Sequence, residues 1–175
     1  MRNVIMGLGF SGIAVILLAS CAKVKQPGHD HHAGPAMNYH VIDDKLATSG
    51  HFVGNGLSHL AADGLQVVID LRVEPPAGQE QKLSDLGIEW VSVPVDWNAP
   101  AAADFQRFTA AMNNYKADKL LVQCGANYRA SAMTYLYQVM VDNVPEQTAL
   151  QDLNAVWEPN KLWTDYIQDI KTQKY

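Results

Sequence analysis

The strongest constraint in this chain is a hydrophobic run that passes through a small-residue turn directly into a helical pattern. Residues 120–122 are typical of a buried strand, and Cys124 follows almost at once. Gly125 and Ala126 then supply the small residues of a turn. Apolar residues recur beyond it at helical spacing, at Ala130, Met133, Leu136 or Tyr137, and Met140. A strand, a turn and a helix in immediate succession predict an α/β unit with the cysteine at its turn.

Such a turn directs backbone N–H groups and the positive end of the helix dipole to one point, where an anion is stabilised. A cysteine thiolate is stabilised there as well, which makes Cys124 a candidate nucleophile. Arg129 carries a planar fork that matches two oxygens of a phosphate or sulfate. The predicted substrate-binding residues belong to the loop and the helix start: Gly125, Ala126, Asn127, Tyr128 and Ser131.

Two details of this loop bear on its chemistry. The hydroxyl of Ser131, close to the helix start, is placed to assist a leaving thiolate. The alternative for Cys124 itself is a buried structural thiol at the end of a strand, which is a frequent environment for cysteine.

The rest of the chain alternates strands with helices. Further strands are predicted at 39–42, 46–52, 67–71 and about 90–93. Further helices are predicted near 57–61, 78–86 and 102–115, with two more after the helix that follows the cysteine. The last two have apolar faces at Leu150, Leu153 and Trp157, and at Leu162, Tyr166 and Ile170. This order predicts one α/β domain with a central, largely parallel sheet flanked by helices.

The N-terminus has the features of an export signal. Arg2 precedes an apolar run, 4–18, that is shorter than the ~20 residues of a membrane span. The run ends in Leu-Ala-Ser-Cys, which resembles a bacterial lipobox with Cys21 as the lipidated residue. We therefore expect residues 1–20 to be a lipoprotein signal peptide and the domain to face the periplasm or the exterior. A transmembrane helix, or ordinary cleavage near Cys21, is the alternative.

Residues 21–37 have the composition of a flexible tether, which leaves 38–175 as the domain. The tether contains a cluster of potential metal ligands, His29, Asp30, His31 and His32. A mobile segment does not hold such ligands in a fixed orientation, so a solvated linker is the favoured interpretation. We expect no metal and no cofactor in the domain.

Cysteine count and charge limit the partners. The chain has two cysteines, and lipidation of Cys21 leaves Cys124 without an intrachain disulfide partner. The 13 basic residues lose Arg2 with the leader and face 18 acidic residues, so no nucleic-acid partner is expected. A phosphorylated substrate or another small oxyanion must then be bound by local geometry.

Four stretches occur together in one order: Thr-Ser-Gly-His at 48–51, the segment 60–72, Val-Pro-Val at 93–95, and the cysteine loop. In this they resemble bacterial dual-specificity and tyrosine phosphatases, especially the phosphatase-like domain of beta-lactamase hydrolase-like proteins. The similarity covers about residues 39–142. It implies a protein-tyrosine-phosphatase-like fold of the dual-specificity type, and hydrolysis of phosphate monoesters through a cysteinyl-phosphate intermediate.

The resemblance also implies a general acid. Asp96, directly after the Val-Pro-Val stretch, occupies a similar position to the acid of this superfamily, and the alternative is a solvated loop carboxylate. The loop departs from the usual phosphatase pattern, because Gln123 replaces histidine and only four residues separate Cys124 from Arg129. That length occurs in the bacterial group and also in rhodanese-type sulfurtransferases. Sulfur transfer through a Cys124 persulfide, or a non-catalytic anion-binding module of the envelope, therefore remains an alternative function.

Two further features are interpreted as structural. Asp70 and Arg72 share one strand face by the period of two, which favours an ion pair over a catalytic role. The four tryptophans are more typical of a core or rim than of substrate stacking, although Trp97 beside Asp96 could border the cleft.

Overall fold

The computed structural model describes residues 34–173, and the predicted signal peptide, Cys21 and the His29 to His32 cluster lie outside them. Within the described residues five strands form one sheet in the order β1-β2-β5-β3-β4. They are β1 (His40–Val41), β2 (Leu46–Ser49), β3 (Val67–Asp70), β4 (Glu89–Ser92) and β5 (Leu120–Gln123). β1 is antiparallel to β2, and every other neighbouring pair is parallel. The predicted largely parallel α/β sheet is confirmed.

Six helices accompany these strands between residues 34 and 173. They are α1 (Gly56–Ala62), α2 (Gln79–Ser84), α3 (Ala102–Asn114), α4 (Tyr128–Met140), α5 (Glu146–Val156) and α6 (Lys161–Thr172). In this part of the chain no helix combines the length and the apolar character needed to cross a membrane. The same residues hold no group of three or more side chains suited to bind a metal ion.

The helices cover both faces of the sheet. Val68 and Leu121 pack with α1 and α2 on one face, whereas Ile69 and Val122 pack with α3 to α6 on the other. Successive strand residues point to opposite faces of the sheet. Because helices cover both faces, the first three residues of β3 and of β5 are all apolar.

The predicted inner faces of α5 and α6 are confirmed at Leu153, Tyr166 and Ile170, and each is wrong at one residue. Leu150 is 40% exposed and Leu162 is 41% exposed, while their neighbours Ala149 and Trp163 are fully buried. Adjacent helical positions differ by only about 100°, so a short apolar pattern leaves this choice open. Packing of both helices against α4 decides it.

The start of the domain and the end of β2 also differ from the predictions. The predicted strand 46–52 ends at Ser49, because Gly50 leaves the sheet and bridges Ala126. The last residues of the predicted tether, 21–37, belong to the fold: Ala36 is buried and bridges Phe52. Folded structure therefore begins before the predicted boundary at residue 38.

Candidate active site

The carboxyl ends of the parallel strands meet at one edge of the sheet, where open α/β proteins bind their ligands. Cys124 follows β5, the middle strand, and its N–H donates to the Ser49 carbonyl at the end of β2 over 3.0 Å. Cys124 is only 1% exposed. The predicted nucleophile therefore lies beneath the loop that it begins, and not on the open surface.

The cysteine loop, residues 124–129, turns sharply into α4. Asn127 has a φ of 71°, a left-handed conformation that asparagine tolerates better than most residues other than glycine. Gly50 lies against the loop so closely that an added Cβ would be 2.8 Å from the Gly125 carbonyl oxygen. A glycine is therefore required there. Asn38 holds the loop as well, since its Nδ2 donates to the Ala126 carbonyl over 3.0 Å.

Unpaired donors line this loop. Within residues 34–173, the backbone N–H groups of Gly125, Ala126, Tyr128 and Arg129 donate to no protein acceptor. They lie at the N-terminus of α4, where the helix dipole is positive. The predicted anion-binding function of the loop backbone is compatible with this arrangement.

Arg129 reaches the ends of two other strands. Its Nη1 donates to the Leu71 carbonyl over 3.1 Å and to the Val95 carbonyl over 2.7 Å. In the described part of the chain its Nε and Nη2 donate to no protein atom. The guanidinium is thus held by hydrogen bonds from Nη1 alone. Its Nε and Nη2 remain available to bind two oxygens of an oxyanion.

Asp96 lies in the loop between β4 and α3 and is exposed. Its Oδ1 accepts from the Asn98 N–H over 2.8 Å. The residues on either side both contact the cysteine loop, since Val95 accepts from Arg129 and the Trp97 ring lies 6.1 Å from the Tyr128 ring. The predicted general acid is therefore at the rim of the cysteine loop.

Five rings fasten the Asp96 loop to the cysteine loop. This aromatic cluster consists of Trp97, Tyr128, Trp157, Trp163 and Tyr166. The Tyr128 ring stacks on the Trp157 ring at 4.7 Å, and the Trp97 ring stacks on the Trp163 ring at 5.4 Å. Trp163 is fully buried, and its Nε1 donates to the Trp97 carbonyl over 3.2 Å. The cluster combines core and rim positions, as predicted for the tryptophans.

Two of the predicted substrate-binding residues have side chains that hydrogen-bond to the protein. The Ser131 hydroxyl lies 2.8 Å from the Asn127 carbonyl, to which it donates, and it accepts from Trp157 Nε1 over 3.1 Å. No hydrogen bond joins it to Cys124 in the described residues, so the predicted contact with the thiolate is absent from this structure. The buried Asn127 amide donates to the Asn38 carbonyl over 2.6 Å and to Thr48 Oγ1 over 2.9 Å. Both side chains stabilise the loop.

A second set of side chains lies under the same edge of the sheet. This polar network consists of Asp70, Arg72, Gln79 and Gln123, all buried. Arg72 forms the predicted ion pair with Asp70, with Nε and Nη2 donating to Oδ1 and Oδ2 over 2.8 and 2.7 Å. The same Nη2 donates to Gln123 Oε1 over 2.8 Å.

Residues 19–165 match the family model described as a DSP-PTPase phosphatase fused to NAD+ kinase. The chain belongs to this phosphatase family. The predicted resemblance to dual-specificity phosphatases is thereby confirmed, and the match covers most of the described residues.

Solved structures support the same assignment. A DUF442 protein from Shewanella putrefaciens CN-32, proposed to be a phosphatase, is 29% identical to this chain and has a TM-score of 0.69. The match spans 78% of this chain and 90% of that one. The catalytic core of the PP-IP phosphatase SIW14 from S. cerevisiae is 16% identical, with a TM-score of 0.64 and coverage of 77% of this chain and 85% of that one. P. aeruginosa TpbA is 14% identical, with a TM-score of 0.62 and coverage of 75% and 84%. The last two show the fold alone. No curated protein matches this chain significantly.

For this member of the DSP-PTPase family, sequence reasoning predicts roles for the loop, Arg129 and Asp96, but it predicts none for Gln79 and Gln123. The predicted helix 78–86 contains Gln79, and Gln123 stands out only as a departure from the usual histidine. The signal for Gln123 was present, because a polar residue at the end of a buried strand requires hydrogen-bond partners.

Proposed function

We propose that this protein hydrolyses phosphate monoesters through a cysteinyl-phosphate intermediate. The observation that supports this most is the position of Cys124 at the start of the loop that leads into α4. Unpaired backbone N–H groups line this loop, and Arg129 at its end keeps donors available for an anion. The Cys124 thiolate would attack phosphorus as the bond to the leaving oxygen breaks. Arg129 and the loop amides would stabilise the charge that builds on the other oxygens.

Asp96 is the proposed general acid. It would give its proton to the leaving oxygen, and its carboxylate would then take a proton from the water that cleaves the sulfur–phosphorus bond. Support comes from Val95 and Trp97, whose contacts keep Asp96 beside the cysteine loop. An ester with a poor leaving group needs this proton more than an activated aryl ester does.

The deciding experiment measures release of phosphate from an aryl phosphate and, in parallel, consumption of thiosulfate with cyanide as the sulfur acceptor, using the full chain. We expect phosphate release, no thiosulfate consumption, and loss of turnover in Cys124→Ser with phosphate binding retained. Arg129→Ala should lose both turnover and phosphate binding, because the bidentate contact disappears with the side chain. Consumption of thiosulfate alone would establish sulfur transfer, and phosphate binding without any turnover would establish a non-catalytic module.

Asp96 has its own test within this proposal. Asp96→Asn should lower kcat on an alkyl phosphate by roughly 10²-fold or more, and should affect an activated aryl phosphate much less. Asn98→Ala, which alters the same loop without removing a proton donor, is the matched control. Equal activity of Asp96→Asn and the parent on both esters would make Asp96 a bystander.

We also propose that the domain works at the cell envelope, held by lipid on Cys21. The support is the lipobox-like sequence at the end of the apolar leader. The full chain should incorporate labelled fatty acid and fractionate with membranes, and Cys21→Ser should abolish the label. Recovery of an unlabelled parent protein from the soluble fraction would contradict the anchor.

A further inference from the structure

We propose that the polar network positions two functional residues at once, the nucleophile Cys124 and the anion-binding Arg129. Arg72 and Gln123 are its central members, and both lie outside the cysteine loop, residues 124–129. The inference rests on the proposed function of the cysteine loop and extends it to residues beneath that loop.

The connection to Cys124 runs through Gln123, the last residue of β5. Its Oε1 accepts from Arg72 and, over 3.0 Å, from Gln79 Nε2. Its Nε2 donates to the Gly50 carbonyl over 3.0 Å. The side chain of the residue before the nucleophile is thus held from three directions. One of its partners is the glycine that packs directly against the loop.

The connection to Arg129 runs through Leu71. Asp70 and Arg72 flank this residue, and Asp70 Oδ1 accepts both the backbone N–H of Arg72, over 3.0 Å, and its Nε. These bonds close a ring around the Leu71 peptide, whose N–H donates to the Gln123 carbonyl over 2.8 Å. The Leu71 carbonyl is one of the two anchors of the Arg129 guanidinium. A shift of Leu71 would therefore move the oxyanion fork.

The composition of the network argues for positioning over simple stabilisation. A buried ion pair adds little net stability relative to apolar residues of the same size, because both charges lose their hydration. No buried side-chain nitrogen or oxygen of Asp70, Arg72, Gln79 or Gln123 lacks a hydrogen-bond partner. Asp70 Oδ2 also accepts from Gln79 Nε2, over 2.9 Å, and from Trp90 Nε1, over 3.3 Å. A fully bonded network rigidifies its surroundings. Here those surroundings are the end of β5, which leads into Cys124, and the end of β3, where the Leu71 carbonyl anchors Arg129.

Gln123→Met provides the first test, because it keeps the size and removes the amide. Misplacement of the nucleophile should lower kcat on an aryl phosphate by roughly 10²-fold, with a much smaller change in KM.

Arg72→Lys keeps the charge but loses the planar fork. It should lower kcat and also weaken inhibition by inorganic phosphate by about tenfold, because Leu71 and hence Arg129 lose their fixed position.

A second readout does not depend on turnover. Alkylation of Cys124 by iodoacetate, an anion that can enter the loop, should be faster than alkylation by neutral iodoacetamide and should be slowed by phosphate. Gln123→Met should reduce the iodoacetate rate in folded protein. Gln79→Met, in which Gln123 keeps its bonds to Arg72 and Gly50, should change kcat and alkylation in the same direction but less.

The matched control is Gln138→Met. Gln138 is a buried glutamine of α4 whose Nε2 donates to Asp152 Oδ2 over 3.1 Å, away from the network. It replaces a buried glutamine by the same residue, methionine, and should leave kcat, KM and alkylation unchanged, whatever its effect on Tm. The inference is overturned if Gln123→Met and Gln79→Met behave like this control.

Failure of the two proposals can be told apart. If the parent releases no phosphate, yet phosphate protects Cys124 and Gln123→Met slows its alkylation, hydrolysis fails and positioning stands. If the parent hydrolyses esters and the network variants match it in every readout except Tm, positioning fails and hydrolysis stands. Should Gln123→Met not fold, Gln79→Met and Arg72→Lys decide the outcome by the same readouts.

Discussion

The polar network and the aromatic cluster hold the cysteine loop from opposite faces of the sheet. Asp70 and Gln123 continue the strand face of Val68 and Leu121, which α1 and α2 cover. The rings of the cluster belong largely to the face covered by α3 to α6. One face holds the loop with a hydrogen-bond network built on a buried ion pair. The other holds it mainly with packed rings, to which two tryptophan N–H groups add hydrogen bonds.

These two kinds of support should respond differently to change. A buried hydrogen-bond network is disrupted when one partner is removed, because the remaining polar atoms stay without partners. Packed aromatic rings tolerate a conservative replacement, since most of the buried area remains. We therefore expect the network to define geometry narrowly, and the cluster to supply stability with some tolerance.

Removal of Arg72 should have the largest effect on stability. Arg72→Met leaves the buried Asp70 carboxylate without its cation, which should reduce the free energy of unfolding by about 3–5 kcal/mol. Urea unfolding followed by circular dichroism measures this. Lys161→Met is the matched control, because it breaks the exposed ion pair with Asp165 and should cost no more than about 1 kcal/mol. Equal effects of the two variants would contradict the comparison.

An intermediate effect is expected from Trp163→Phe on the aromatic face. The ring remains, but some buried area and the hydrogen bond to the Trp97 carbonyl are lost, which should cost about 1–2 kcal/mol. The Asp96 loop should also loosen, so kcat on an alkyl phosphate should fall. Phe108→Leu, a buried change on α3, should destabilise similarly without changing kcat. If kcat falls in both variants, the aromatic cluster has no specific role in holding the Asp96 loop.

A smaller effect is expected from Trp157→Phe. The stack on Tyr128 can persist, while the bond from Nε1 to the Ser131 hydroxyl is lost at a cost of about 1 kcal/mol. Thermal unfolding measures the cost, and Trp157→Leu removes the stack as well for comparison. If Trp157→Phe costs as much as Trp157→Leu, the hydrogen bond matters more than the stacking and the aromatic face is not tolerant.

The smallest effect concerns pH and the ion pair that joins α5 to α6. The hydrogen bond from Lys171, and then that from Tyr135, hold the pKa of Glu146 below its usual value, and the hydrogen bond to Glu146 raises the pKa of Lys171. The Glu146 contribution is therefore complete above the ordinary glutamate range and is lost as pH falls through the lowered pKa. The Lys171 contribution is complete below the ordinary lysine range and is lost as pH rises through the raised pKa.

Glu146→Gln tests this linkage. The parent should have a slightly higher Tm than the variant at neutral pH, and the difference should shrink as the pH falls through the lowered pKa of Glu146. The effect is small because Glu146 is exposed and its charge is screened by solvent. A difference that grows as the pH falls would have the wrong sign for a carboxyl group with a lowered pKa.

Local patterns in the sequence determined much of this protein. The apolar run before Cys124, the small residues after it and the helical spacing beyond Arg129 predicted a strand, a turn and a helix, because each depends on neighbouring residues. The alternation of strands and helices predicted the parallel sheet for the same reason. The order of the four matching stretches predicted the phosphatase family.

Only the tertiary structure decided which side chains support the loop. Gln79 and Gln123 are 44 residues apart in the chain, and Trp163 bonds a carbonyl 66 residues away. The periodicity of neighbouring residues does not indicate which distant residues will contact each other. The inner faces of α5 and α6 were also decided this way, because neighbouring helical positions are nearly equivalent until a helix packs against its partner. Contacts between distant segments depend on how the elements fill space together, which a pattern of adjacent residues does not encode.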